Sequence, residues 1–112
     1  MKLITKELAK KMPKFRAQEK TRDPIVYAKL FCPWGRATWW LTEYDAAENV
    51  AFGFAYLGDE DAAELGYIDI TEISEVSGPF GLKIERDIHF SEIPLSEALS
   101  NFGLERCAER FK

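Results

Sequence analysis

The sequence predicts an α+β domain: a mainly antiparallel sheet of four or five strands, one helix before it and one or two helices after it. Three observations predict this class. Successive stretches between residues 25 and 57 are β-branched and aromatic and are separated by turn residues. The first twelve residues place apolar side chains at helical spacing, and residues 95–112 do so again. The 112 residues, 46% hydrophobic and 30% charged, have the size and balance of one domain spanning 1–112. A chain of this length buries roughly two-thirds of its unfolded surface, enough for one core.

Residues 3–12 read as a short amphipathic helix. Ile4, Leu8 and Met12 form one stripe, and Lys6 and Lys10 lie opposite. Thr5 is a suitable N-cap, and Pro13 stops the helix. Residues 13–24 are polar and basic and read as a loop. Residues 25–32, 36–44 and 49–57 then read as a three-strand antiparallel meander, with turns at Pro33–Gly35 and Asp45–Glu48. In the third strand Val50, Phe52, Phe54 and Tyr56 share one face and Ala51, Gly53 and Ala55 the other. That segregation predicts a thick aromatic layer on one side and a closely packed element on the other.

Residues 65–70 are a fourth strand candidate after an acidic connection. A short helix is expected from a Thr71 N-cap through Val76, and a turn at Ser77–Gly81. Residues 82–90 alternate as a fifth strand, with Ile84, Ile88 and Phe90 on one face. Leu95, Leu99 and Phe102 begin a C-terminal helix. After Gly103, Leu104, Cys107, Ala108 and Phe111 keep the helical period.

Charge is divided along the chain. Residues 1–22 hold eight basic side chains against Glu7 and Glu19, a balance of +6, while residues 23–112 hold seven basic and 17 acidic, a balance of −10. A domain with a basic end and an acidic body carries an oriented field. Cys32 and Cys107 lack the CxxC spacing of a redox motif and cannot close a zinc site alone, so buried reduced thiols are expected. There is no apolar leader and no run of the ~20 apolar residues that spans a bilayer. A cytoplasmic location is the expectation.

The stretch Glu64–Tyr67, then Gly78-Pro-Phe-Gly-Leu-Lys-Ile-Glu-Arg-Asp-Ile-His-Phe90, with the opening MKLITKEL and Asp23–Phe31, resembles a bacterial family of small proteins. It is domain-of-unknown-function family twenty-nine fifty-eight. The resemblance runs over roughly residues 1–97, and its GLxIERDxxF string is its most specific part. It implies a single-domain fold in a bacterial plasmid, phage or integrated element. No activity, cofactor or catalytic residue comes with it.

Three sets of residues are candidates for function. Glu85, Asp87 and His89 would share one strand face, where two carboxylates and an imidazole can bind a divalent metal or act as acid and base. The competing reading is a solvated strand face. Lys6, Lys10, Lys11, Lys14 and Arg16 can contact phosphates, or can simply solvate a docked helix and face the acidic body. Trp34, Arg36 and Trp40 can stack bases or anchor a protein partner. Trp39 and Trp40 are adjacent in a strand and so face opposite ways; an exposed Trp40 beside Arg36 would favour a binding surface. Phosphate loops, EF-hands and nucleophile elbows have no counterpart here.

The function expected from these readings is non-enzymatic. It is an accessory protein that binds a host or element protein, in one version by occupying a nucleic-acid-recognising surface. A nucleic-acid-binding protein using the basic N-terminal segment is one alternative, and a metal-dependent enzyme centred on Asp87 and His89 another. No cofactor and no membrane partner are expected.

Overall fold

The computed structural model describes residues 1–112. Five strands form one antiparallel sheet in the order β5-β4-β3-β2-β6: β2 is Ala28–Phe31, β3 Thr38–Asp45, β4 Val50–Tyr56, β5 Glu64–Asp69 and β6 Glu85–Arg86. Beside it β1, Ile25–Val26, pairs with β7, Ile93–Pro94. The helices are α1 (Lys6–Lys11), α2 (Ile70–Glu75), α3 (Leu95–Phe102) and α4 (Glu105–Glu109). The fold class is therefore the α+β arrangement expected.

The two ends of the chain close the two faces of the sheet. On the small-residue face, Ala28, Leu30, Leu41 and Ala51 pack beneath Leu3, Ile4 and Met12. On the other face, Trp40, Phe54 and Tyr56 pack against Leu95, Leu99, Leu104 and Cys107 of the C-terminal helices. The periodicity of β4 thus separates two cores as the sequence predicts. Gly53 has a further cause. A bulge lies between Leu41 and Glu43, and a Cβ at position 53 would sit 2.0 Å from the Trp40 carbonyl oxygen, so the approach of β3 backbone excludes any side chain there.

Several boundaries differ from expectation. The first strand breaks at Tyr27, whose N–H donates to the Leu41 carbonyl between β1 and β2. α1 is shorter than 3–12, although Thr5 does cap it, accepting from the Leu8 N–H. Asp69, not Thr71, caps α2 by accepting the Glu72 N–H. The strand expected over 82–90 shrinks to Glu85–Arg86. Asp87 ends it: its carboxylate accepts the His89 N–H and its carbonyl accepts the Phe90 N–H, which folds the chain into a turn and leaves Ile88 exposed rather than in the core. Gly103, in the left-handed region, separates α3 from α4. Both cysteines are free and buried. No helix is long and apolar enough to cross a membrane.

Candidate functional site

The turn at Pro79–Gly81 has unusual backbone geometry. Ser77 bridges Lys83, the Gly78 N–H donates to the Leu82 carbonyl, and the Leu82 N–H donates to the Pro79 carbonyl. Phe80 (φ 57°, ψ 25°) and Gly81 (φ 75°) are consecutive left-handed residues, the signature of a type I′ hairpin turn. That turn ordinarily places Asn, Asp or Gly at its first central position. Here a phenylalanine occupies it and is fully exposed. The turn rests on Trp34: a Cβ at Gly78 would lie 2.4 Å from the indole ring, so the hairpin backbone lies directly on the half-buried Trp34. Val76 and Leu82 on its two arms are exposed as well.

A second surface lies on the aromatic sheet face, beyond the part that α3 and α4 cover. Phe52 and Tyr67 are directly opposite in the β4–β5 ladder, with ring centroids 5.2 Å apart and edge-on. Phe15 meets Tyr67 in the same way at 5.3 Å. The chain before it crosses the end of the sheet, where the Tyr44 N–H donates to the Pro13 carbonyl. It is then held by the buried Glu43 at the bulge, whose two oxygens accept the N–H groups of Arg16 (2.9 Å) and Gln18 (2.7 Å). Gln18 in turn donates to the carbonyls of Ile25 and Thr42 and accepts the Ile25 N–H. A cavity of about 220 Å³ results, floored by Phe52, Leu65 and Tyr67 and rimmed by Arg16 and Arg22 together with Glu19 and Glu43.

The residues singled out in the sequence fall into three groups. Trp40 is 1% exposed beneath Phe102 and Phe54, so it is a core residue and not a binding anchor. Its neighbour Trp39 packs on the opposite face because strand neighbours alternate. Arg36 is exposed, but its guanidinium lies over the rings of Tyr56 (5.9 Å) and Phe102 (5.1 Å), capping the same core. Trp34 supports the Phe80 hairpin.

The basic residues are divided between two places. Lys6, Lys10 and Lys11 are exposed on α1, over the small-residue face. Lys14 and Arg16 lie beyond Pro13, on the segment that crosses to the Tyr67 side. Arg16 pairs with Glu19 at 3.2 Å, and this hydrogen-bonded carboxylate raises the guanidinium pKa further.

The Glu85, Asp87 and His89 set is not gathered on a common strand face, because β6 stops at Arg86 and Asp87 turns the chain. No group of three or more His, Cys, Asp and Glu side chains is placed to hold a metal ion. Arg86 has a different task. Its Nη1 donates to the carbonyls of Lys2 (3.0 Å) and Leu3 (2.6 Å), fastening the N-terminal segment to the sheet edge. A polar groove of about 500 Å³ runs between α1 and this edge, bordered by Lys11, Arg86 and Asp87.

Residues 3–103 match the family described as Protein of unknown function (DUF2958). The chain belongs to that family. No curated protein and no solved structure matches it. The family match contains everything from Leu3 to the Gly103 cap and stops before α4. Within this DUF2958 protein, the GLxIERDxxF string that carries the resemblance is spent on architecture. Gly81 completes the left-handed turn, Ile84 enters the first core, Arg86 holds the N-terminal strap, Asp87 makes the turn and Phe90 packs on the second core. Phe80, Tyr67 and Arg22 were not marked by sequence reasoning. Phe80 carried a signal, a bulky residue inside a Gly-Pro-x-Gly turn; the Tyr67–Phe15 contact joins residues far apart in sequence and carried none.

Proposed function

We propose that this protein is a non-enzymatic protein-binding module that docks through the Phe80 hairpin. The observation that carries the reading is Phe80 itself. A bulky residue at φ 57° costs on the order of 1–2 kcal/mol relative to the residues such a turn prefers. The same residue is fully exposed, so no contact within the fold offsets that cost. An aromatic side chain held on a hairpin that lies on Trp34 is a pre-organised anchor for an apolar pocket on another protein. Glu72 and Glu75, exposed on α2 just before the hairpin, and the acidic balance of residues 23–112 favour a pocket with a basic rim. A nucleic-acid-binding host protein has that chemistry, and a bacterial mobile element is the setting in which we place the interaction.

The test is affinity capture from a bacterial lysate with the wild-type chain and with Phe80→Asn, each with and without nuclease. Asn fits the left-handed position, so the variant should be at least as stable as wild type. A discrete protein held by wild type through nuclease treatment and lost by Phe80→Asn supports the reading. A partner retained by Phe80→Asn, or enrichment that vanishes with nuclease, removes it.

A further inference from the structure

We propose that the Tyr67 surface is a binding site for single-stranded nucleic acid, with a base stacked on Tyr67 and the adjoining phosphates at Arg22 and Arg16. The site is separate from the Phe80 hairpin and does not depend on it.

The aromatic part is pre-organised. Tyr67 is 70% exposed, yet Phe15 and Phe52 both meet it edge-on at just over 5 Å and fix its orientation. Beside it the cavity of about 220 Å³ has an apolar floor of Phe52 and Leu65 and is wide enough for one planar ring system. A base can enter only if it is unstacked and unpaired, which selects a single strand over a duplex.

The charge is of the matching sign. Lys14, Arg16, Lys20 and Arg22 face only Glu19 within residues 14–22, a local balance of +3 in a chain whose net charge is −4. Arg22 makes no ion pair, and Arg16 is paired only with the exposed Glu19. The other nearby carboxylates are otherwise engaged. Glu43 lines the cavity but has both oxygens on backbone N–H groups, Asp23 beside Arg22 accepts the Ser96 N–H and hydroxyl, Asp69 caps α2, and strand alternation turns Glu64 to the opposite face from Tyr67. Four cations on nine residues suit a run of phosphates better than one free nucleotide. Glu43 and Gln18 fix the backbone of this segment, so the cations are displayed from an ordered loop.

The experiment is fluorescence anisotropy with a labelled oligodeoxythymidine of about 12 nucleotides, within the usual footprint of single-strand binders. Binding should weaken steeply as salt rises. Tyr67→Ala should lower affinity by about tenfold with a modestly lower unfolding midpoint from loss of its Phe15 and Phe52 contacts, and Arg22→Glu should lower affinity by at least as much with the midpoint near wild type. Lys6→Glu, on the other side of the sheet, changes charge by the same amount and should leave affinity within about twofold. Equal losses for Lys6→Glu and Arg22→Glu would reduce the effect to net charge and overturn the site. So would an unaltered affinity in Tyr67→Ala, equal binding of duplex, or full competition by thymidine monophosphate at the oligonucleotide's own concentration. Phe80→Asn should bind the oligonucleotide as wild type does, which separates this result from the fate of the protein-binding reading.

Discussion

Glu43 is 5% exposed, and its carboxylate holds the backbone N–H of Gln18 at 2.7 Å, twenty-five residues away in sequence. Its other oxygen takes the Arg16 N–H, so one side chain at the β3 bulge sets the path of the whole 14–22 segment. Glu43→Gln replaces an acceptor oxygen with an amide that opposes a backbone donor. The expected loss is about 1–3 kcal/mol in urea unfolding. Proteolysis should move to the 14–22 segment in the folded variant. A variant with wild-type stability and an unchanged cleavage pattern would show that the loop is held by other contacts.

Arg86 is the corresponding fastener on the opposite side. Arg86→Ala removes two charge-assisted hydrogen bonds to the Lys2 and Leu3 carbonyls and should cost about 1.5–3 kcal/mol. Amide exchange should quicken first in residues 3–12, since Leu3 and Ile4 cover the first core only while this strap is in place. Uniform acceleration across the sheet would contradict that order.

Trp34 and Gly78 allow a test of the hairpin support without touching Phe80. Gly78→Ala puts a methyl 2.4 Å from the indole, and one of the two must move. The expected destabilisation is about 1–3 kcal/mol. Tryptophan emission should shift to the red as the ring swings out, and partner capture should fall with it. Unchanged emission together with unchanged stability would mean that the turn adapts elsewhere.

Alkaline pH should weaken both cores, through Tyr44 at the first and Cys107 in the second. Burial pushes the Cys107 thiol pKa above its ordinary value. Burial, followed by the Asp45 charge, does the same to the Tyr44 phenol. Below the ordinary pKa both groups are protonated in either state and contribute no slope. Above it the unfolded chain releases its protons first, so stability falls as pH rises through the ordinary and then the raised values. Urea midpoints should therefore decline as the pH rises above about 8, and Cys107→Ala should flatten the first part of that decline. A wild-type slope that Cys107→Ala leaves intact would assign it to other groups.

What could be read from the sequence was what depends on local period. The Val50–Tyr56 alternation foretold two differently packed sheet faces, and the helical spacing over Leu95–Phe111 foretold one or two C-terminal helices, which the structure resolves into two at Gly103. The same rule misled at 82–90, where Ile84, Ile88 and Phe90 alternate as a strand would. The Asp87 side chain makes a local hydrogen bond that ends pairing, and periodicity does not register that competition. Trp40 illustrates a second limit. Alternation says that Trp39 and Trp40 diverge, but not which face a distant helix covers. The candidate surfaces were least legible of all. Tyr67 meets Phe15 across more than fifty residues, and Arg22 is set apart from the other basic residues only by its place at the rim of the Tyr67 cavity.

The division of labour between the two ends of the chain has a consequence during synthesis. Until α3 and α4 leave the ribosome, the emerging sheet has its first side covered by residues already made, while Trp40, Phe54 and Tyr56 still face water. The nascent protein is then a half-closed sandwich with a sticky aromatic side, and emergence of residues 95–112 is the event that makes it safe from its neighbours.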